Sequence, residues 1–144
     1  MQTFLEHVVT LLTEEQRYYL FEAPPPPGAQ LFHKDIGLPP QAIPPDRGLR
    51  LNYGSHAKQA ARDDGLTRLP AALPATFQVI EVEMLHGAPT KWVVRMAHPD
   101  EQYRDLVLVV QRDGFVRTVW TNDKNDSHKT LKRNIYTHPK NYVA

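Results

Sequence analysis

The hydrophobic pattern divides the chain into two helical stretches, a proline-rich interruption, a short third helix and a run of strands. Phe4, Leu5, Val8, Val9, Leu11 and Leu12 recur at helical spacing, so residues 3–22 are predicted helical. Thr13 followed by Gln16 has capping-box spacing, which starts a second helix carrying Tyr18, Tyr19, Leu20 and Phe21. Pro24-Pro25-Pro26-Pro27-Gly28 ends it, because proline cannot continue a helix and restricts the residue before it. From there to about Arg50 little regular structure is expected. The segment reads as a stiff connector wrapped on the surface, or as a polyproline ligand for SH3- or WW-type domains. Ser55 then suits an N-cap, His56 to Asp64 a helix, and Gly65 the left-handed position that closes it.

The strands give the strongest signal. Thr76–Leu85, Lys91–Ala97, Asp105–Gln111 and Phe115–Asn122 are predicted strands, separated by His86-Gly87-Ala88-Pro89, by His98-Pro99-Asp100 and by Asp113-Gly114. Short connections favour pairing of sequence neighbours. The predicted fold is therefore α+β: N-terminal helices packed on a four-stranded antiparallel β-meander, with no parallel pair. Val93-Val94 and Leu106 to Val110 are apolar on both faces, so helices cover one face and the other is partly buried or lines a cleft. The chain divides into a helical N-terminus with a Pro-rich arm, 1–49, and an α+β domain, 50–144.

Composition adds limits. At 144 residues, 41% hydrophobic and 23% charged, the chain has a globular balance and room for one core. No apolar run reaches the length of a membrane span, and Met1 to Leu12 lacks a basic start, so no membrane partner and a cytoplasmic place of action are expected. With no cysteine there is no disulfide, thiol nucleophile or zinc-thiolate site. The seven histidines show no paired metal spacing, so no metal and no cofactor is predicted. The net charge is +1, yet residues 114–144 hold six basic and two acidic side chains. Lys124, Lys129, Lys132, Arg133 and Lys140 make a basic tail suited to an anionic partner.

Candidate chemistry gathers at the end of the last strand. Thr118, Trp120 and Asn122 share one face by the period-two rule, with Arg117 on the other, and His128, Lys129 and Thr130 follow. Loops on a rigid sheet commonly carry function. Tyr53-Gly54-Ser55-His56-Ala57, the four strands, Thr118-Val119-Trp120-Thr121-Asn122, then Asp126-Ser127-His128-Lys129-Thr130-Leu131 and Tyr136, together resemble small bacterial and phage toxin-type ribonuclease domains. Those domains belong to the superfamily of barnase, EndoU, colicin-type tRNA nucleases and RelE. The resemblance spans roughly residues 50–137.

It implies a metal-independent endoribonuclease, in which a base takes the proton of a ribose 2′-OH. The oxygen then attacks the adjacent phosphate, and an acid protonates the departing 5′-oxygen. Histidine suits both proton transfers near neutral pH. The implied roles are acid–base work for His56 and His128, which should converge, with Thr130 beside them in the catalytic group. Arg117, Thr118, Asn122 and Lys129 would hold the substrate, and Trp120 or Tyr136 would stack a base. The implied partners are RNA, with tRNA among the candidates, and a cognate immunity or host protein. The alternative is a non-catalytic phage or mobile-element protein that docks on a host protein or nucleic acid. A hydrolase of another phosphodiester is a third reading.

Overall fold

A computed structural model describes residues 26–124 and 135–143. Six strands form one mixed sheet: β1 (Gln30–His33), β2 (Asn52–Tyr53), β3 (Gln78–Leu85), β4 (Ala88–Ala97), β5 (Arg104–Gln111) and β6 (Phe115–Asp123). Their spatial order is β1-β3-β4-β5-β6-β2. Helix α1 (Ser55–Asp63) follows β2 directly.

This corrects the expected fold. The strands β3 to β6 are antiparallel neighbours, but they are the centre of a wider sheet rather than all of it. β1 adds antiparallel to β3 from within the segment expected to lack regular structure, and β2 adds parallel to β6. A parallel pair is what the meander excluded. The expected helices at 3–22 lie outside the described residues, so the helical layer of the described fold is α1 alone.

Turn chemistry explains the central hairpins. His86 and Gly87 have φ of 52° and 80°, the mirror-image turn that matches the twist of paired strands. Between β5 and β6, Gly114 has φ of +92°, and its Cα faces the backbone carbonyl of Arg50 with no room for a side chain. That close approach lets Asn52 N–H bond Gly114 O at 3.0 Å and seat β2 beside β6. α1 starts one residue earlier than expected: Gly54 is its N-cap, so Ser55 is the first helical residue.

Both faces of the sheet are buried, which is why β5 reads apolar without alternation. On the first face Phe32, Val82, Trp92, Val94, Leu108 and Val119 form one core with Ala57 and Ala61 of α1, which packs against β6. On the second face Leu31, Ile80, Val93, Val107, Val109 and Trp120 pack with Tyr136. The chain leaves the sheet at Lys124, beside β5, and is next described at Ile135, where Thr137 N–H bonds Leu31 O of β1 at 2.7 Å.

Candidate functional site

The second face of the sheet carries the ionisable side chains, arranged in cross-strand rows by the register. One row runs His33, Glu81, Val93, Val109 and Thr118 across five strands. The next runs Leu31, Glu83, Lys91 and Gln111 across four strands. Two irregularities sharpen the second row. β6 skips a pairing between Thr118 and Val116, so Arg117 is a bulge residue. β4 likewise skips Thr90, between Lys91 and Pro89. A bulge breaks alternation and re-aims a side chain. Arg117 was expected on the face opposite Thr118; instead its charge is felt by Lys91 on the second face.

Glu81 and Glu83 are both 1% exposed. Burying a carboxyl is costly unless it is neutral, paired or hydrogen-bonded. Glu81 accepts a 2.6 Å hydrogen bond from Tyr136 Oη, and its second oxygen has no hydrogen-bond partner among the described residues. Burial pushes its carboxyl well above the usual range, and the Tyr136 bond pulls only partly back. His33 stands edge-on to Tyr136, with ring centroids 5.2 Å apart. His33 Nδ1 accepts the Asp35 backbone N–H at 3.1 Å. Because that lone pair is engaged, the 3.9 Å approach of Asp35 Oδ2 to Nδ1 is no hydrogen-bonded ion pair.

Glu83 is held differently. Its Oε1 accepts from Thr90 Oγ1 at 2.7 Å, and its Oε2 lies 3.8 Å from Lys91 Nζ. Burial lowers the Lys91 pKa, Glu83 opposes that, and Arg117 adds to it. Thr90, Lys91, Gln111, Arg117 and Thr118 are half-buried, so this end of the face is open where the row of His33 and Glu81 is closed.

The register also places His56. At one end of α1 Gly54 N–H bonds Val116 O at 3.3 Å. At the other Asp64 Oδ2 accepts Thr121 N–H at 2.9 Å. The helix therefore runs along the edge of β6 beyond β2, in the strand's direction. His56 lies exposed in its first turn, two residues after the Gly54 that bonds Val116.

Of the residues singled out in the sequence, Thr118, Trp120 and Asn122 do share the second face, and Arg117 is the bulge residue next to Thr118. Trp120 and Asn122 are 6% and 3% exposed, and Tyr136 is 8%. Trp120 is packed in the second core, and Tyr136 is committed to Glu81 and His33, so neither presents an open ring to a base. His128, Lys129 and Thr130 lie outside the described residues, and with them the expected convergence of His56 and His128. Sequence reasoning missed His33, Glu81, Glu83 and Lys91. Only the pairing register brings them together, and no local motif marks them.

No protein-family model, curated protein or solved structure matches the chain. No helix among the described residues is long and apolar enough to cross a membrane. Among those residues no three His, Asp or Glu side chains converge as metal ligands.

Proposed function

We propose that the chain is a metal-independent endoribonuclease, toxin-like and acting in the cytoplasm, whose phosphate site is the open end of the second sheet face. The observation that carries this reading is the bulge at Arg117. It sets a guanidinium next to the Thr118 hydroxyl and near enough to Lys91 for its charge to act on that ammonium, with His56 in the first turn of the helix that follows the same strand edge.

The chemistry follows from these groups. Arg117 and Lys91 supply positive charge where a pentacoordinate phosphate gains negative charge, and Thr118 supplies a donor. Glu83 anchors Lys91 from below, so the ammonium is oriented before substrate arrives. His56 serves as one proton-transfer partner, and His128 is the other that the sequence motif supplies. RNA, tRNA included, is the substrate class of this proposal, and a cognate immunity protein its natural antagonist.

Expression in bacteria of wild type, His128→Ala and Arg117→Gln, with growth and total RNA followed together, tests the proposal. Growth arrest with RNA fragmentation in the wild type, relieved in both variants, is the expected result. Intact RNA in cells making folded wild-type protein would replace the enzyme by a docking protein.

A further inference from the structure

Beyond Trp120 and Asn122 the second face ends in an open cavity of about 560 Å³. Volumes of roughly 300–1,000 Å³ are those of small-molecule sites. It is lined by Lys34 after β1, Phe77 and Gln78 at the start of β3, Arg95 late in β4, Asp105 early in β5, and Lys124 after β6. Three cations from three separate elements thus meet around one hollow. Arg95 Nε donates to Asp105 Oδ2 at 2.7 Å and its Nη2 to Asp123 O at 2.8 Å, which fixes the guanidinium at the wall. Lys34 makes a 3.0 Å pair with its exposed neighbour Asp35, a contact that an incoming anion can replace. Lys124 makes no ion pair with a described residue.

An aromatic pairs with Lys124 across the ladder. Lys124 N–H bonds Tyr103 O at 3.0 Å, continuing the β5–β6 ladder one step beyond Arg104 and Asp123. Tyr103 is thereby opposite Lys124, and it is 68% exposed. Large exposed aromatics beside cations are the usual platform for an unpaired base, because every base has a stacking face. Phe77 also lines the cavity, with its half-buried ring packed against the first-face core.

We propose that this cavity is a nucleotide subsite for single-stranded RNA, with a backbone phosphate between Lys34 and Lys124 and a base against Tyr103. The inference rests on the ribonuclease reading and extends it. Thr118 to Lys124 is six residues of strand, about 20 Å. The subsite therefore grips a nucleotide several positions from the bond being cut. Longer RNA engages both sites, whereas a dinucleotide reaches only the first.

A test that separates binding from cleavage uses an eight-nucleotide, 2′-O-methylated RNA, which cannot be cut by 2′-OH attack. Its anisotropy would be titrated with wild type, with a Lys34→Gln/Lys124→Gln double variant, and with Tyr103→Ala, across a salt series. Loss of the one phosphate that both lysines neutralise should weaken binding about ten-fold and reduce the slope of log affinity against log salt by roughly 0.7. Tyr103→Ala should weaken binding with no change in that slope. Dinucleotide cleavage, where the wild type shows it, should be the same in all three proteins. Unchanged affinity and slope in the double variant would overturn the subsite, as would wild type that fails to bind the oligonucleotide. Oligonucleotide binding with these effects, in a protein that cleaves nothing, would keep the subsite and remove the nuclease.

Discussion

Replacing Glu81 by Gln should flatten the pH dependence of stability, and the reasoning can be followed quantitatively. Glu81 is buried to 1% exposure, and burial raises its carboxyl pKa well above the ordinary value of a free glutamate. In the unfolded chain the carboxyl titrates near that ordinary value. Above it the folded protein still holds a proton that the unfolded chain has released. Stability is therefore fullest below the unfolded pKa, and falls as pH rises toward the folded one. The slope for one such proton is at most about 1.4 kcal/mol per pH unit. For a chain of this size that is roughly 4 °C of unfolding midpoint per pH unit. Glutamine keeps the shape and can still accept from Tyr136 Oη, but it carries no titrating proton. Thermal unfolding of wild type and Glu81→Gln, measured between pH 5 and pH 8, should give curves that lie close together toward low pH and separate toward high pH, where only the wild type loses stability. Since all other groups are common to both proteins, the difference isolates this carboxyl. Parallel curves would refute the claim that Glu81 is buried with a raised pKa.

Three further outcomes are expected. Gly114→Ala places a methyl group against the Arg50 carbonyl at a φ of +92°, and should cost about 2 kcal/mol or more in urea unfolding. Asp64→Ala removes the acceptor for Thr121 N–H at the edge of β6, and should cost roughly 1–3 kcal/mol, with amide exchange at Thr121 speeding up. Arg117→Gln should lower the rate of RNA cleavage by about 10²–10³-fold while leaving the unfolding midpoint within about 2 °C of wild type.

What the sequence made legible was local. The hairpin at His86-Gly87 and the turn at Asp113-Gly114 declare themselves by residue type, and β3 to β6 are long and rich in β-branched side chains. The flanking strands were hidden for physical reasons. β1 is four residues, Gln-Leu-Phe-His, set in a proline-rich context, and β2 is two residues held by a parallel pairing that leaves no local pattern. Neither bulge could be read, because it is the partner strand's register that makes Arg117 the extra residue. Glu81-Val82-Glu83-Met84 alternates as a strand with one wet face would, and the cover that closes over Glu81 includes Tyr136 from more than fifty residues on. Trp120 and Tyr136 were noticed for their aromatic rings, but their rings are packed in the second core, and it was the neighbouring cations that the sequence left unconnected.

The central claim is that the open end of the second face cuts RNA by 2′-OH attack. Purified wild type should be incubated with an end-labelled RNA and with the same RNA carrying one 2′-deoxy position at the preferred cut, in buffer with and without EDTA, and the product ends identified. The account predicts a 2′,3′-cyclic phosphate and a 5′-hydroxyl, no cleavage at the deoxy position, and no effect of EDTA. A 5′-phosphate product, cleavage at the deoxy position, or activity abolished by EDTA and restored by a divalent ion would contradict it.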